Sequence, residues 1–155
     1  MEALLTVLET LIDHLRQLTD LAKRKTLAVR KSDLTTLNQI LKEEQAQSLA
    51  LRDLEQKRTT LLRQLGLDNI PLTALPTHMP IDLQQRTREI AETLRHEFAI
   101  YNSAAEVARN TLECNLHEVE KFLAAAGAVS DAGTGYRRND GDVDAPPKLK
   151  ADFRA

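Results

Sequence analysis

Two glutamate–histidine pairs and one cysteine are the residues whose types and spacing could support chemistry in this chain. Glu92 and His96 are four residues apart, as are Glu113 and His117, and Cys114 precedes His117 by three. On a helix such pairs share one face and could hold a metal ion. A di-iron bundle, however, uses Glu-x-x-His on two helices, and this sequence contains no Glu-x-x-His. We therefore interpret the pairs as solvated surface residues and predict no metal site.

The other sequence signatures of catalysis are equally weak. Cys114 has no basic neighbour that would favour the thiolate needed for a nucleophile. Gly133-Thr134-Gly135 lacks the preceding strand and the following helix of a phosphate-binding loop. We predict that the protein is not an enzyme and binds no cofactor. The alternative is a metal-binding helical enzyme, in which Glu113, Cys114 and His117 would converge with ligands from another helix.

The composition is typical of long helices and places the chain among cytoplasmic proteins. Its 155 residues include no Trp, 3% aromatic residues and five Gly. The net charge of −2 argues against a nucleic-acid partner held by phosphate contacts. A single cysteine fits a reducing compartment. The N-terminus does not resemble a signal peptide, and no window reaches the roughly 20 apolar residues of a membrane span.

The first two predicted helices form an antiparallel hairpin. The first spans residues 2–30, and its apolar spacing defines a stripe for burial. That stripe consists of Leu4, Leu8, Leu11, Leu15, Leu18, Ala22, Lys25 and Val29, with Leu5 and Ile12 on one flank. The turn is Lys31-Ser32-Asp33, where Ser32 is predicted to cap the second helix, residues 33–65. Because the break is so short, the two helices should be antiparallel neighbours.

The stripe of the second helix mixes apolar and polar residues. It reads Leu34, Leu37, Leu41, Glu44, Ser48, Leu51, Glu55, Arg58, Leu62 and Leu65. One interpretation is a partly buried structural polar set, Lys25, Glu44, Glu55 and Arg58, that fixes the register of the hairpin. The other is that the buried face shifts onto Ile40, Leu54 and Leu61, while the charged residues lie at its solvent-exposed edge.

A proline-containing connection, residues 66–81, leads to a long third helix. Pro71, Pro76 and Pro80 forbid a continuous helix there, but the apolar residues between them predict that the segment packs along the bundle. The third helix is predicted over residues 82–126, with Asp82 and Gln85 as a capping box. Its stripe contains Leu94, Phe98, Tyr101, Ala105, Ala108, Leu112, Val119, Phe122 and Ala126, with Asn115 as a polar break.

The predicted lengths require one end of the third helix to protrude. At 1.5 Å per residue it exceeds its neighbours by roughly 18 Å or more. Residues 104–126 are the better candidate for the protruding end, because residues 83–98 must follow the connection closely. Exposed apolar surface there predicts association. The alternatives are a break near Asn110 or Asn115 that folds the end back, or a homodimer in which two chains cover each other's stripes.

The fold class predicted from these elements is all-α: an antiparallel hairpin plus a third long helix, forming an elongated, coiled-coil-like three-helix bundle over residues 1–126. Residues 127–155 are rich in Gly, Pro and Asp and are predicted to form a disordered tail.

Short motifs in the hairpin, the late third helix and the tail carry a resemblance to a known family. These are Leu21-Ala22-x-x-Lys25, Ser32-Asp33, Leu37, Glu44-Gln45, Leu51, Leu54-Glu55-x-x-Arg58, Asn102, Asn110, Leu116, Tyr136 and Asp140-Gly141. In these residues the chain resembles the FlgN family of flagellar export chaperones.

The resemblance implies a cytoplasmic, non-enzymatic chaperone. Such a protein binds the C-terminal helical segments of hook–filament junction proteins, prevents their premature assembly, and delivers them to the flagellar type III export apparatus. Cargo binding in the family lies in the C-terminal part, which corresponds here to Tyr101, Ala105, Ala108, Leu112, Leu116, Val119, Phe122 and Leu123. The family's tail tyrosine docks on the export gate, and Tyr136 matches it. The alternative function is a homodimeric coiled-coil scaffold without an export role.

Overall fold

A computed structural model of the chain describes residues 1–127, and their fold is all-α, as predicted. The helices are α1 (Glu2–Arg30), α2 (Leu34–Gln64) and α3 (Ile81–Ala125), with a short 3₁₀-helix (Leu75–His78) between α2 and α3. No strand occurs within residues 1–127. The tail predicted after this point, including Tyr136, lies outside the described residues.

Helix α1 lies between the other two long helices. It packs against both α2 and α3, which make no comparable contact with each other within residues 1–127. Every apolar residue of its predicted stripe is buried, which confirms that prediction. The buried set is Leu4, Leu5, Leu8, Leu11, Ile12, Leu15, Leu18, Ala22 and Val29. Such a helix needs apolar residues on two flanks because it faces two neighbours.

Polar pairs across α1 define the direction of its neighbours. Lys25 pairs with Glu44 across the short turn, so α1 and α2 are antiparallel. Arg86 near the start of α3 bonds Glu2 and Glu9 near the start of α1. Glu97 bonds Arg16 further along, so α1 and α3 run parallel.

The turn between α1 and α2 is capped differently from the prediction. Ser32 has φ of 54° and donates its N–H to the Val29 carbonyl, while the Asp33 N–H bonds Ala28, as in a Schellman motif. Asp33 caps α2: its carboxylate accepts from the backbone N–H of Thr36 at 3.0 Å and from the Thr36 hydroxyl at 2.6 Å. The prediction of Ser32 as the cap was wrong, because Ser32 occupies the left-handed position that ends α1.

The connection packs against the bundle, as predicted. Leu67, Leu72, Leu75 and Met79 are buried in the main core, and the 3₁₀-helix contacts α3. Because α2 is antiparallel to α1, it ends near the first turns of α1, and this segment crosses from α2 to α3 at that end of the bundle. It therefore allows α3 to start beside the first turns of α1.

The start of α3 lacks the predicted capping box. The helix begins at Ile81, so Asp82 lies inside its first turn, and Pro80 at the cap position offers no side-chain hydrogen bond. Gln84 donates to the Met79 carbonyl at 3.1 Å, while Gln85 instead donates to Glu89 at 2.7 Å. A start one residue earlier than predicted explains the difference.

Within residues 1–127, α2 buries a narrow face because its backbone packs closely against α1 alone among the long helices. Its buried residues are Ile40, Leu51 and Leu62. Leu34 and Leu41, both in the predicted stripe, are exposed, so that part of the stripe was wrong. The shift onto Ile40 is confirmed, because Ile40 is fully buried.

Candidate partner-binding surfaces

Helix α3 continues well beyond the end of α1. Leu27 and Arg30, in the last turn of α1, line the same groove as Ala104 and Val107 of α3. After that level α3 runs on without a break through Ala125. Residues 109–125, which we call the overhang, extend about 25 Å at 1.5 Å per residue. The alternative in which α3 breaks near its asparagines and folds back was wrong.

The overhang carries an exposed apolar row. We define the distal stripe as Leu112, Leu116, Val119, Phe122 and Leu123. Leu116 is 61% exposed, Val119 48%, Phe122 73% and Leu123 46%, whereas Leu112 at the base is half-buried. Spacings of three and four residues keep these side chains on one side of the helix. The distal stripe is an apolar surface without cover within residues 1–127.

The other predicted cargo-binding residues lie within the bundle. Ala108 is completely buried, and Tyr101 packs against the main core. Ala105 is half-buried. Burial raises the pKa of the Tyr101 hydroxyl, and the negative charge of Glu44 adds to the effect. In this conformation a partner cannot reach Ala108.

Within residues 1–127, the charges on the overhang pair only along the helix. Arg109 bonds Glu113 at 3.0 Å, and His117 lies 4.0 Å from Glu120. Lys121 is the other cation of the overhang, and Glu118 adds a further carboxylate. The border of the distal stripe is therefore mildly acidic.

The predicted polar set forms two separate pairs. Lys25 donates to both carboxylate oxygens of Glu44 at 2.7 Å, and these side chains are only 16% and 22% exposed. Arg58 pairs with Glu55 at 3.0 Å within α2. Of these two pairs, only Lys25–Glu44 joins two helices, so only that pair can contribute to the register between α1 and α2.

A second apolar surface lies between α1 and α3. This α1–α3 groove has a volume of about 700 Å³ and is open to solvent. Its lining residues are Lys23, Thr26, Leu27, Arg30, His96, Ala99, Ile100, Ser103, Ala104 and Val107. This groove was not predicted from the sequence. The available signal was Leu27 and Val107, which are apolar residues outside the predicted stripes, and both are about half exposed.

The histidines and the cysteine do not form a common site within residues 1–127. Nδ1 of His14 lies 2.6 Å from Oε1 of Gln47, and His78 contacts the Ala74 carbonyl. Cys114 is exposed. Within residues 1–127, no three His, Cys, Asp or Glu side chains come together as metal ligands do.

None of the helices in the described part of the chain is long and apolar enough to span a bilayer.

Comparison with known proteins gives one family. The family model described as FlgN protein matches residues 1–141, which includes all three long helices. Separate comparisons with curated proteins and with solved structures find no match.

Proposed function

The chain belongs to the FlgN family of flagellar export chaperones, and from this premise we propose that it captures hook–filament junction proteins in the cytoplasm. It binds their C-terminal helical segments, prevents premature assembly, and delivers them to the flagellar type III export apparatus. The overhang is the cargo-binding element in this proposal.

The observation that carries the proposal is the exposure of the distal stripe. Four of its side chains are between 46% and 73% exposed on a continuous helix. An amphipathic cargo helix could lay its own apolar face along this row, as in helix-to-helix recognition. Covering a large apolar side chain contributes about 1.5–3 kcal/mol. Several such contacts supply enough gross energy for micromolar binding after the cost of association.

The test is a double substitution in the distal stripe. A labelled peptide with the C-terminal helical sequence of a hook–filament junction protein is titrated with the full chain. Leu116→Asp with Val119→Asp should abolish binding, because two carboxylates would be desolvated against the apolar face of the peptide. Both side chains are exposed in the free protein, so the fold should be unaffected.

A matched control is available on α2. Leu49 is 59% exposed, close to the 61% of Leu116, and lies on α2, whose backbone does not come close to that of α3. Leu49→Asp should leave peptide binding unchanged. If the double variant binds as tightly as the wild type, with an unaltered thermal melt, the cargo site lies elsewhere.

Export-gate docking through Tyr136 requires a different test. The residue lies outside the described part of the chain, so this step rests on the family resemblance alone. For Tyr136→Ala we expect unchanged cargo binding and loss of cargo secretion in a complemented strain. Wild-type secretion by that variant would assign docking to another residue.

A homodimeric scaffold would use the same stripe against itself. Light scattering with hydrogen exchange over residues 109–125 distinguishes the two functions. A monomer whose overhang amides exchange quickly supports the chaperone. A dimer with a protected overhang in the absence of cargo supports the scaffold.

A further inference from the structure

We propose that the α1–α3 groove is a second docking site, which binds an acidic amphipathic helix of a partner protein. The groove and the distal stripe are separate surfaces. Successive residues of a helix point about 100° apart. Val107, which lines the groove, therefore faces a different side of α3 from the buried Ala108, which belongs to the apolar row that continues into the distal stripe. The proposal does not depend on cargo binding by the overhang.

The shape of the groove favours a helix. Its two walls are parallel helices, and along α3 it extends from His96 to Val107, about three helical turns. Leu27, Ile100 and Val107 provide an apolar floor. A partner helix packed against both walls at the usual interaxial distance of about 8–10 Å would cover these side chains.

Unpaired cations on α1 select an acidic partner. Arg16, Arg24 and Lys25 each pair with a carboxylate. Lys23 and Arg30, which line the groove, have no ion-pair partner within residues 1–127. No carboxylate belongs to the groove lining in this described part of the chain.

The spacing of the cations predicts the spacing of the partner's acids. Lys23 and Arg30 are seven residues apart, which places them two turns, roughly 10 Å, apart along α1. A partner helix with Glu or Asp at a seven-residue interval beside its apolar row would meet both cations. This arrangement is the one that flanking charges use in coiled coils.

The probes for the test are two synthetic amphipathic peptides of three heptads. Both carry Leu at the a and d positions; one has Glu at the flanking e and g positions, and the other has Lys there. Each is labelled, and binding to the full chain is followed by fluorescence anisotropy. We expect the Glu peptide to bind at least about tenfold more tightly than the Lys peptide, and the difference to shrink at high salt.

Two groove variants localise the binding. Lys23→Glu with Arg30→Glu should reverse the preference between the peptides. The matched control, Lys42→Glu with Lys57→Glu, makes the same charge change at exposed positions of α2 and should preserve it.

Val107→Asp should lower the affinity for the Glu peptide about tenfold or more, whereas Leu116→Asp with Val119→Asp should leave that affinity unchanged. Val107 is 47% exposed, so the variant should fold, as a thermal melt can verify.

Three results would overturn the proposal. One is equal affinity for the two peptides. The second is loss of Glu-peptide binding in the Leu116→Asp, Val119→Asp variant but not in Val107→Asp. The third is concentration-dependent self-association that Val107→Asp abolishes, because the occupant would then be a second copy of this chain.

Discussion

The two parts of α3 have similar sequence patterns and opposite environments. In the part beside α1, Thr87, Ile90, Ala91 and Leu94 are buried, and charged residues reach across to α1. In the overhang every large apolar residue except Leu112 is exposed, and the ion pairs are between residues three or four apart. The difference arises from the length of α1, which ends at Arg30. An apolar stripe therefore identifies the apolar face of a helix, while the length of the neighbouring helix determines how much of that face is buried.

The largest expected difference between the two parts concerns stability. Leu94 is 1% exposed, so Leu94→Ala should lower the free energy of unfolding by about 2–5 kcal/mol. Leu116→Ala makes the same chemical change at an exposed site and should stay within about 0.5 kcal/mol of the wild type. Urea unfolding of both variants measures the difference. Similar losses would mean that the overhang is covered in solution.

A smaller difference is expected between two glutamates that pair with cations. Glu44 is held by Lys25 at a partly buried position, so Glu44→Gln should lower the free energy of unfolding by about 1–3 kcal/mol. Glu113 pairs with Arg109 on the exposed overhang, and Glu113→Gln should cost no more than about 0.5 kcal/mol. Denaturant melts of both variants test this prediction. Equal effects would remove Lys25–Glu44 as a register-fixing contact.

The smallest expected effect lies at the hairpin turn, near the level where the overhang begins. Hydrogen bonds from the side chain and backbone of Thr36 lower the pKa of Asp33 below its ordinary value of 3.8. A lowered folded-state pKa stabilises the protein above the unfolded pKa, and this contribution disappears as the pH falls through the folded pKa.

Asp33→Asn keeps a good capping residue but removes the titration. The variant should therefore be less stable than the wild type at neutral pH, and the gap should close as the pH falls below the ordinary Asp33 pKa of 3.8. Thermal melts across this range measure the gap. A gap that stays constant with pH would show that the carboxylate charge at Asp33 does not contribute.

The fold was predictable where one pattern dominated. In α1 the apolar stripe is nearly continuous, and all of its apolar members are buried. Residue types also located both ends of the hairpin turn to within a few residues. The cap itself was assigned to the wrong residue, because Ser32 and Asp33 are both good capping residues. Only the backbone conformation distinguishes them.

The surfaces were only partly predictable. The overhang followed from helix lengths, since a long helix beside shorter ones must protrude. The α1–α3 groove depends on α1 and α3 being parallel and on their relative register. The apolar periodicity of a single helix predicts neither property. Leu34 shows the same limitation. Its spacing fits a buried stripe, yet it is 70% exposed because α2 has a single long-helix neighbour.

The central position of α1 also has a consequence for the order of folding. Its contacts with α2 join residues close in sequence, such as Lys25 and Glu44, 19 residues apart. Its contacts with α3 join distant ones, such as Arg16 and Glu97, 81 residues apart. Closing the longer loop costs more chain entropy and slows folding. During synthesis the hairpin can therefore form first, and the flank of α1 that contacts α3 stays exposed until α3 has emerged from the ribosome.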